Sequence, residues 1–398
     1  MMLMSSVFWM MLSYPFTVVM TFLSTVVLTA VVYVKTLFRP KESIPRLYFR
    51  DSAMAQHIVN KCTSLRRPMR LPVWLQNAHV QTLCGFFLKL FRTQFRREYV
   101  QLEDDGVVAL DWTATSRYMG NATAIIIIVP DLNGDAASMA QYCSVFTSRG
   151  YRSVIFNRRG HGGSFLTSAG LEAYGCCSDL RGAIQSLRHR FPGSPIAGLG
   201  AGAGADLLMS YLGEFGSSSL LSSVTCISPT YDSEDVYMNK IPKIYEMTYL
   251  MYLKKILGRH AESFSNVVDV DAALRAWNFK DYDSHVYSKL GGYPGLEEYW
   301  EENSPMRDVD EISVPVLCIN SMDDPISVKE NIPYDLFRSS LNFFLVTLER
   351  GGHCGFYEKA TGSAWTVKPA LDFIDSVFSF PSAIPATQRI VGERAWQR

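Results

Sequence analysis

The chain has 398 residues, with Lys+Arg and Asp+Glu balanced at 38 each and no formal net charge. That length admits one large α/β domain with additions or two smaller domains, and the lack of a basic surplus argues against nucleic acid as a partner. The eight cysteines are scattered, with no C-x-x-C pair and no histidine spacing of a structural zinc site; they read as reduced core thiols, and neither a metal nor a cofactor is expected.

Lys35 is the first charged residue. Before it, residues 7–34 form an uncharged apolar run broken only by Ser, Thr and Pro15, and about 20 such residues cross a bilayer. The expectation is a retained anchor at about Phe16–Val34. A cleaved signal peptide, followed by secretion, is the alternative, but the basic n-region and the short h-region ending in small residues are both missing. Lys35, Arg39 and Lys41 follow the run and nothing charged precedes it, so the positive-inside rule puts the body in the cytoplasm, with the endoplasmic reticulum as the expected membrane. Reduced cysteines suit that side. The sequon Asn121-Ala122-Thr123 would matter only in a lumenal body and reads as a chance match in a turn.

Beyond the membrane anchor and its basic flank (1–41), residues 42–98 form a linker and N-terminal segment containing "LPVWLQNAHVQTLCGFF". "YVQLEDDGVVALDW" reads as a hairpin around Asp104-Asp105-Gly106. "AIIIIVP" (124–130) is a β-branched run of the kind buried on both faces of a parallel sheet, followed by a helix from about Ala136 to Arg149. Strand "YRSVIFN" (151–157), helix "LRGAIQSLRHRF" (180–191) and strand "PIAGLG" continue a doubly wound order. Later strands are "SSVTCISP" (222–229), "VPVLCIN" (314–320) and "NFFLVTLE" (342–349), with "WTVKPALDFIDSVF" (365–378) the closing helix. Residues 231–305, rich in Tyr, Lys and Met, read as an inserted helical cap between two halves of one core, 99–230 and 306–380, and 381–398 is a tail.

Residues 195–213, "PIAGLGAGAGADLLMSYLG", have the outline of a nucleophile elbow: an apolar lead-in, a run of small residues, then a helix former. Gly200-Ala201-Gly202-Ala203-Gly204 fills the five positions of G-x-S-x-G. The middle position is Gly202, without a side chain. No shift of frame supplies a serine, and Ser210 lies two helical turns beyond the bend.

The order strand, loop, elbow, cap, acid strand and histidine loop, together with "WLQNAHVQT", "NRRGHGGS", "EEYWEENSP", "VPVLCINSMDDPIS" and "GGHCGF", resembles the α/β-hydrolase superfamily. The resemblance is to its membrane-anchored branch, the AB hydrolase 4 family of lipases and carboxylesterases. It implies an α/β-hydrolase fold, a mostly parallel doubly wound sheet with an inserted helical cap. It places the general base at His353 in "ERGGHCGFYE" and the orienting carboxylate at Asp324 after "VPVLCIN", with neighbouring Asp323 the lesser candidate. The oxyanion-type loop "VPDLNGDAAS" (129–138) and the residue after the elbow bring Leu132 and Ala203 to the oxyanion site. There Asp131 replaces a small residue, and its carboxylate would repel a developing oxyanion unless turned to solvent or protonated. His79 and His161 read as packing or loop-fixing residues.

Without a serine, three readings follow. One is a pseudohydrolase that binds a lipid, a small ester or a protein partner and regulates lipid metabolism. Another is a carboxylesterase or acylglycerol lipase in which His353 activates water directly, helped by Asp324. The last is a membrane scaffold whose pocket is filled by side chains.

Overall fold

The computed structural model describes residues 41–89, 91–114, 119–172, 174–358 and 362–380, together with Thr21, Ser24, Thr25, Leu28 and Thr29. Apart from those five positions, the expected anchor Phe16–Val34 lies outside the described residues, as does the tail 381–398. Among the described residues, no helix is long and apolar enough to cross a membrane.

Eleven strands are described: β1 (Lys41–Ser43), β2 (Arg46–Phe49), β3 (Met69–Leu71), β4 (Phe95–Gln101), β5 (Val107–Thr113), β6 (Ile125–Val129), β7 (Arg152–Asn157), β8 (Ile196–Ala201), β9 (Ser223–Ile227), β10 (Val316–Ser321) and β11 (Phe343–Leu348). Nine form one sheet in the order β2-β11-β10-β9-β8-β6-β7-β5-β4, and β1 pairs separately with β3. The run from β11 to β7 is parallel. β2, β5 and β4 complete it in antiparallel pairings at the two edges. The mostly parallel sheet expected from the sequence is therefore present.

Strand β6 shows why. Its "IIIIV" has no polar position because a central parallel strand is covered on both faces. Ile126 and Ile128 join the layer with Phe146, Phe344 and Phe373, while Ile125, Ile127 and Val129 join the opposite one with Leu180 and Leu208. A third apolar layer lies under the helices between β9 and β10 and is rich in rings, including Tyr237, Tyr249, Phe279 and Trp300.

Two local expectations need correction. The helix predicted from Ala136 begins at Ala140 and ends at Ser148. Ahead of it, the Ser138 amide donates to Asp135 Oδ1 at 3.0 Å and the Asp135 amide to Ser138 Oγ at 3.1 Å; short polar side chains compete in this way for backbone groups a helix would use. The edge strand β2, "RLYF", was not foreseen, because four residues show no period that separates a strand from a linker.

At the centre, β8 leads through Gly202 into the helix Ala203–Phe215. A Cβ on Gly200 would lie 2.5 Å from the Ala205 Cα, and one on Gly204 2.2 Å from the Val129 carbonyl oxygen. These glycines let the helix start directly against the sheet. Gly204→Ala has only backbone to push aside and should cost on the order of 3 kcal/mol in a urea denaturation. Gly193→Ala, with nothing within 4 Å, should change stability by less than about 0.5 kcal/mol.

Candidate functional site

Gly202 sits at the bend with φ 51° and ψ −126°, a conformation that costs a residue with a side chain about 1–3 kcal/mol. Its N–H donates to the Ile227 carbonyl at 2.9 Å, and its own carbonyl accepts from the Ala205 and Asp206 amides at 2.8 and 3.2 Å. The Ala203 N–H, one residue on, is thereby left facing the site at the helix N-terminus.

His353 and Asp324 meet there. Asp324 follows β10, and its Oδ1 accepts from the Ile326 and Ser327 amides at 2.8 and 2.9 Å. Its Oδ2 lies 3.0 Å from His353 Nδ1. The histidine loop is pinned from two sides. Asp323 Oδ1 accepts from the Gly351 and Gly352 amides at 2.9 and 3.0 Å, and the His353 amide donates 2.9 Å to Thr82 Oγ1 on the helix Ala78–Phe87. Gln81 on the same helix receives the Tyr357 amide at 2.8 Å and donates to the Tyr357 carbonyl at 2.9 Å. The phrase "WLQNAHVQT" is thus a brace for the histidine loop.

The third side chain at the site is Asp131. It points inward, so of the two expected arrangements, turned to solvent or protonated, the first is not the one adopted. Its Oδ1 accepts the Ala203 N–H at 2.9 Å and its Oδ2 the Tyr249 hydroxyl at 2.7 Å. A Cβ on Gly202 would lie 2.3 Å from Asp131 Oδ1 and 3.0 Å from His353 Nε2. The carboxylate therefore stands where a nucleophile's side chain would begin, on the amide that an oxyanion would need. The repulsion anticipated from sequence is resolved by substitution: the protein supplies its own anion to the helix N-terminus.

His353 Nε2 is buried without a hydrogen-bond partner among the described residues, 3.9 Å from Asp131 Oδ2. Burial opposes charge on this ring, but adjacent Cys354 and the bonded Asp324 outweigh it and hold the imidazole pKa well above its usual value. A shift that favours the protonated ring works against the role of a general base, which must accept a proton.

Aromatic side chains close the site. Phe86 packs edge-on to His353, with ring centroids 6.5 Å apart, and to Tyr249 at 5.2 Å. Tyr245 and Tyr249 come from the helix Lys243–Arg259, and the Tyr245 hydroxyl lies 2.6 Å from His79 Nδ1. The adjoining cleft, bordered by Asp131, Phe86, Ala201 and Cys354, encloses about 50 Å³, against roughly 300–1,000 Å³ for a ligand pocket.

The remaining expected residues fall as follows. Leu132 is fully buried in the layer under the cap. Ser210 is buried in the helix interior, its hydroxyl without a partner among the described residues. His161 Nδ1 lies 2.9 Å from the Arg159 carbonyl, and burial lowers its pKa to about 4. Sequence reasoning missed Tyr249, Phe86, Thr82 and Gln81. It also passed over the buried Arg158, whose Nη2 donates to the Ala203 carbonyl at 2.6 Å.

The sheet, the elbow and the cap inserted after β9 define an α/β hydrolase. Residues 120–359 match the Hydrolase_4 family, described as "Serine aminopeptidase, S33", and the chain belongs to this α/β-hydrolase family. It is 35% identical to human "Protein ABHD15" over 84% of this chain and 74% of that protein. It is 28% identical to "Phospholipase ABHD3" of Bos taurus, over 79% of each. With human "Monoacylglycerol lipase ABHD2" the identity is 25% over 87% of each.

The raised His353 pKa has a consequence for stability. Its folded pKa stands above the unfolded value of about 6.5, so its protonation adds stability that is complete below that pH and fades as pH rises through the folded value. Thermal melts from neutral to alkaline pH should show a falling Tm for the wild type and a flatter profile for His353→Gln. Identical slopes would mean that the ring is neutral.

Proposed function

We propose that this protein has left serine acyl transfer and acts by binding, as a membrane-anchored regulator in lipid metabolism. The observation that carries the proposal is the Asp131 carboxylate on the Ala203 amide. Acyl transfer needs a nucleophile, a proton acceptor and an empty oxyanion hole. Here the first position is glycine, the second is a protonated ring and the third is occupied. Loss of the nucleophile alone removes on the order of a million-fold in kcat.

Relatives named as a phospholipase and a monoacylglycerol lipase support a lipid or small ester as the ligand class. A protein partner is the other class of binder the proposal includes. The uncharged run before Lys35 supports a single span at Phe16–Val34 with the body in the cytoplasm, at the endoplasmic reticulum.

Labelling with a fluorophosphonate tests the chemistry. The wild type should not react. Gly202→Ser alone should react weakly at best, because its Cβ meets Asp131. Gly202→Ser with Asp131→Gly frees both the space and the Ala203 amide, and should label. Wild-type labelling that disappears in His353→Ala would overturn the proposal. For topology, protease added outside intact microsomes should digest the body; full protection, or a glycan on Asn121, would reverse the orientation.

A further inference from the structure

The cap has an outer face that its inner packing does not explain. On the helix Lys243–Arg259, Tyr245, Tyr249, Leu253 and Leu257 are buried. Ile244, Thr248, Met251 and Lys255 form the opposite stripe, at the i, i+4, i+7 and i+11 spacing of one helical face. Ile244 is 59% exposed and Met251 61%. Trp277, beyond the neighbouring helix Val270–Arg275, is 68% exposed. It lies beside the same stripe: Lys243 Nζ donates to its carbonyl at 2.6 Å, and Lys254 Nζ stands 5.9 Å from its ring centroid. Leu274 is also exposed. Single exposed apolar residues are ordinary, but several on adjoining elements around a tryptophan mark a contact surface.

Cations outnumber the exposed acids around this patch. Lys243, Lys254, Lys255 and Arg259 lie on the first helix, with Arg275 and Lys280 on the adjoining segment. The acid of the first helix, Glu246, is turned inward, accepting the Phe279 amide at 2.8 Å and pairing with Lys243. Glu262, Asp269, Asp271 and Asp281 are exposed acids nearby; Asp269 caps the helix by accepting the Ala272 amide at 2.9 Å, and Asp281 is engaged with Asn278. An apolar strip with a tryptophan and a lysine-rich rim fits the anionic surface of a bilayer, where rings settle at headgroup depth and each cation contributes.

The path of the chain agrees. Lys41, where the described body begins, pairs with Leu71. From Leu71 the chain runs through Trp74 to the helix Ala78–Phe87, whose His79 bonds Tyr245, the neighbour of Ile244. Residues 35–41 can extend at most about 25 Å, so a span ending at Val34 would keep Lys41 within that reach of the lipid.

We propose that the cap face formed by Ile244, Met251, Leu274 and Trp277, with its rim of lysines and arginines, docks on the anionic surface of the bilayer. The nearness of that surface rests on the proposed anchor; the chemistry of the face does not.

The test uses the full chain in vesicles of headgroup-proximal brominated phosphatidylcholine, with and without phosphatidylserine. The quenching lost in Trp277→Phe reports Trp277 alone, since the other tryptophans are common to both proteins. That component should be present with phosphatidylserine, weak without it, and reduced about fivefold or more by Lys255→Gln, as expected for removal of one cation near an anionic surface. Its absence in phosphatidylserine vesicles, or equal size in both lipids, would overturn the proposal. So would an unquenched Trp277 covered by a co-purifying protein, which would assign the face to that partner. If high-pH washing strips the chain from the vesicles, the anchor fails by itself; docking is then decided by the same Trp277 signal on re-adding the stripped chain to phosphatidylserine vesicles at neutral pH.

Discussion

A backbone amide at the first turn of a buried helix needs an acceptor, and in this protein Asp131 supplies it to Ala203. The carboxylate is nearly buried, so its charge has to be met locally. The Ala203 N–H, the Tyr249 hydroxyl, the helix N-terminus and the charged ring of His353 surround it. Each of these groups then depends on the others. The His353 pKa is raised against burial by adjacent Cys354 and bonded Asp324, and Tyr249 draws the helix Lys243–Arg259 down onto the site. Gly202 must lack a side chain because the carboxylate stands where that side chain would be.

Two departures from the family pattern are thus one arrangement. A side chain is missing at position 202 and an acidic one is present at position 131, and the second fills the volume left by the first. Either change alone would leave the interior worse off: a serine at 202 would meet Asp131, and a small residue at 131 would leave an unpaired amide facing an aromatic wall. The retained Asp324 and His353 fit the same account. A buried imidazolium costs less with two acids beside it than with one, so the pair fits the local charge of the site.

The parallel sheet and the bend were legible because continuous β-branched runs and small-residue turns carry local, periodic signals. Gly202, Asp324 and His353 were placed together by the family resemblance along with strand order, since loops at the carboxyl ends of neighbouring parallel strands converge. The direction of Asp131 was not legible; a sequence locates a loop without saying which way its side chain turns. Tyr249, 118 residues from Asp131, and Thr82, 271 residues from His353, reach the site from segments whose own patterns show only an apolar helix face. The short strand β2 escaped for want of length.

The central claim is that the site at rest holds its own anion and a charged ring. Nitrogen NMR of selectively labelled histidine and alanine reads both at once. The account predicts protons on both ring nitrogens of His353 at pH 7, above the usual imidazole pKa, and an Ala203 amide resonance that moves markedly in Asp131→Asn. A neutral His353 ring at that pH, with an Ala203 amide unmoved by the substitution, would contradict it.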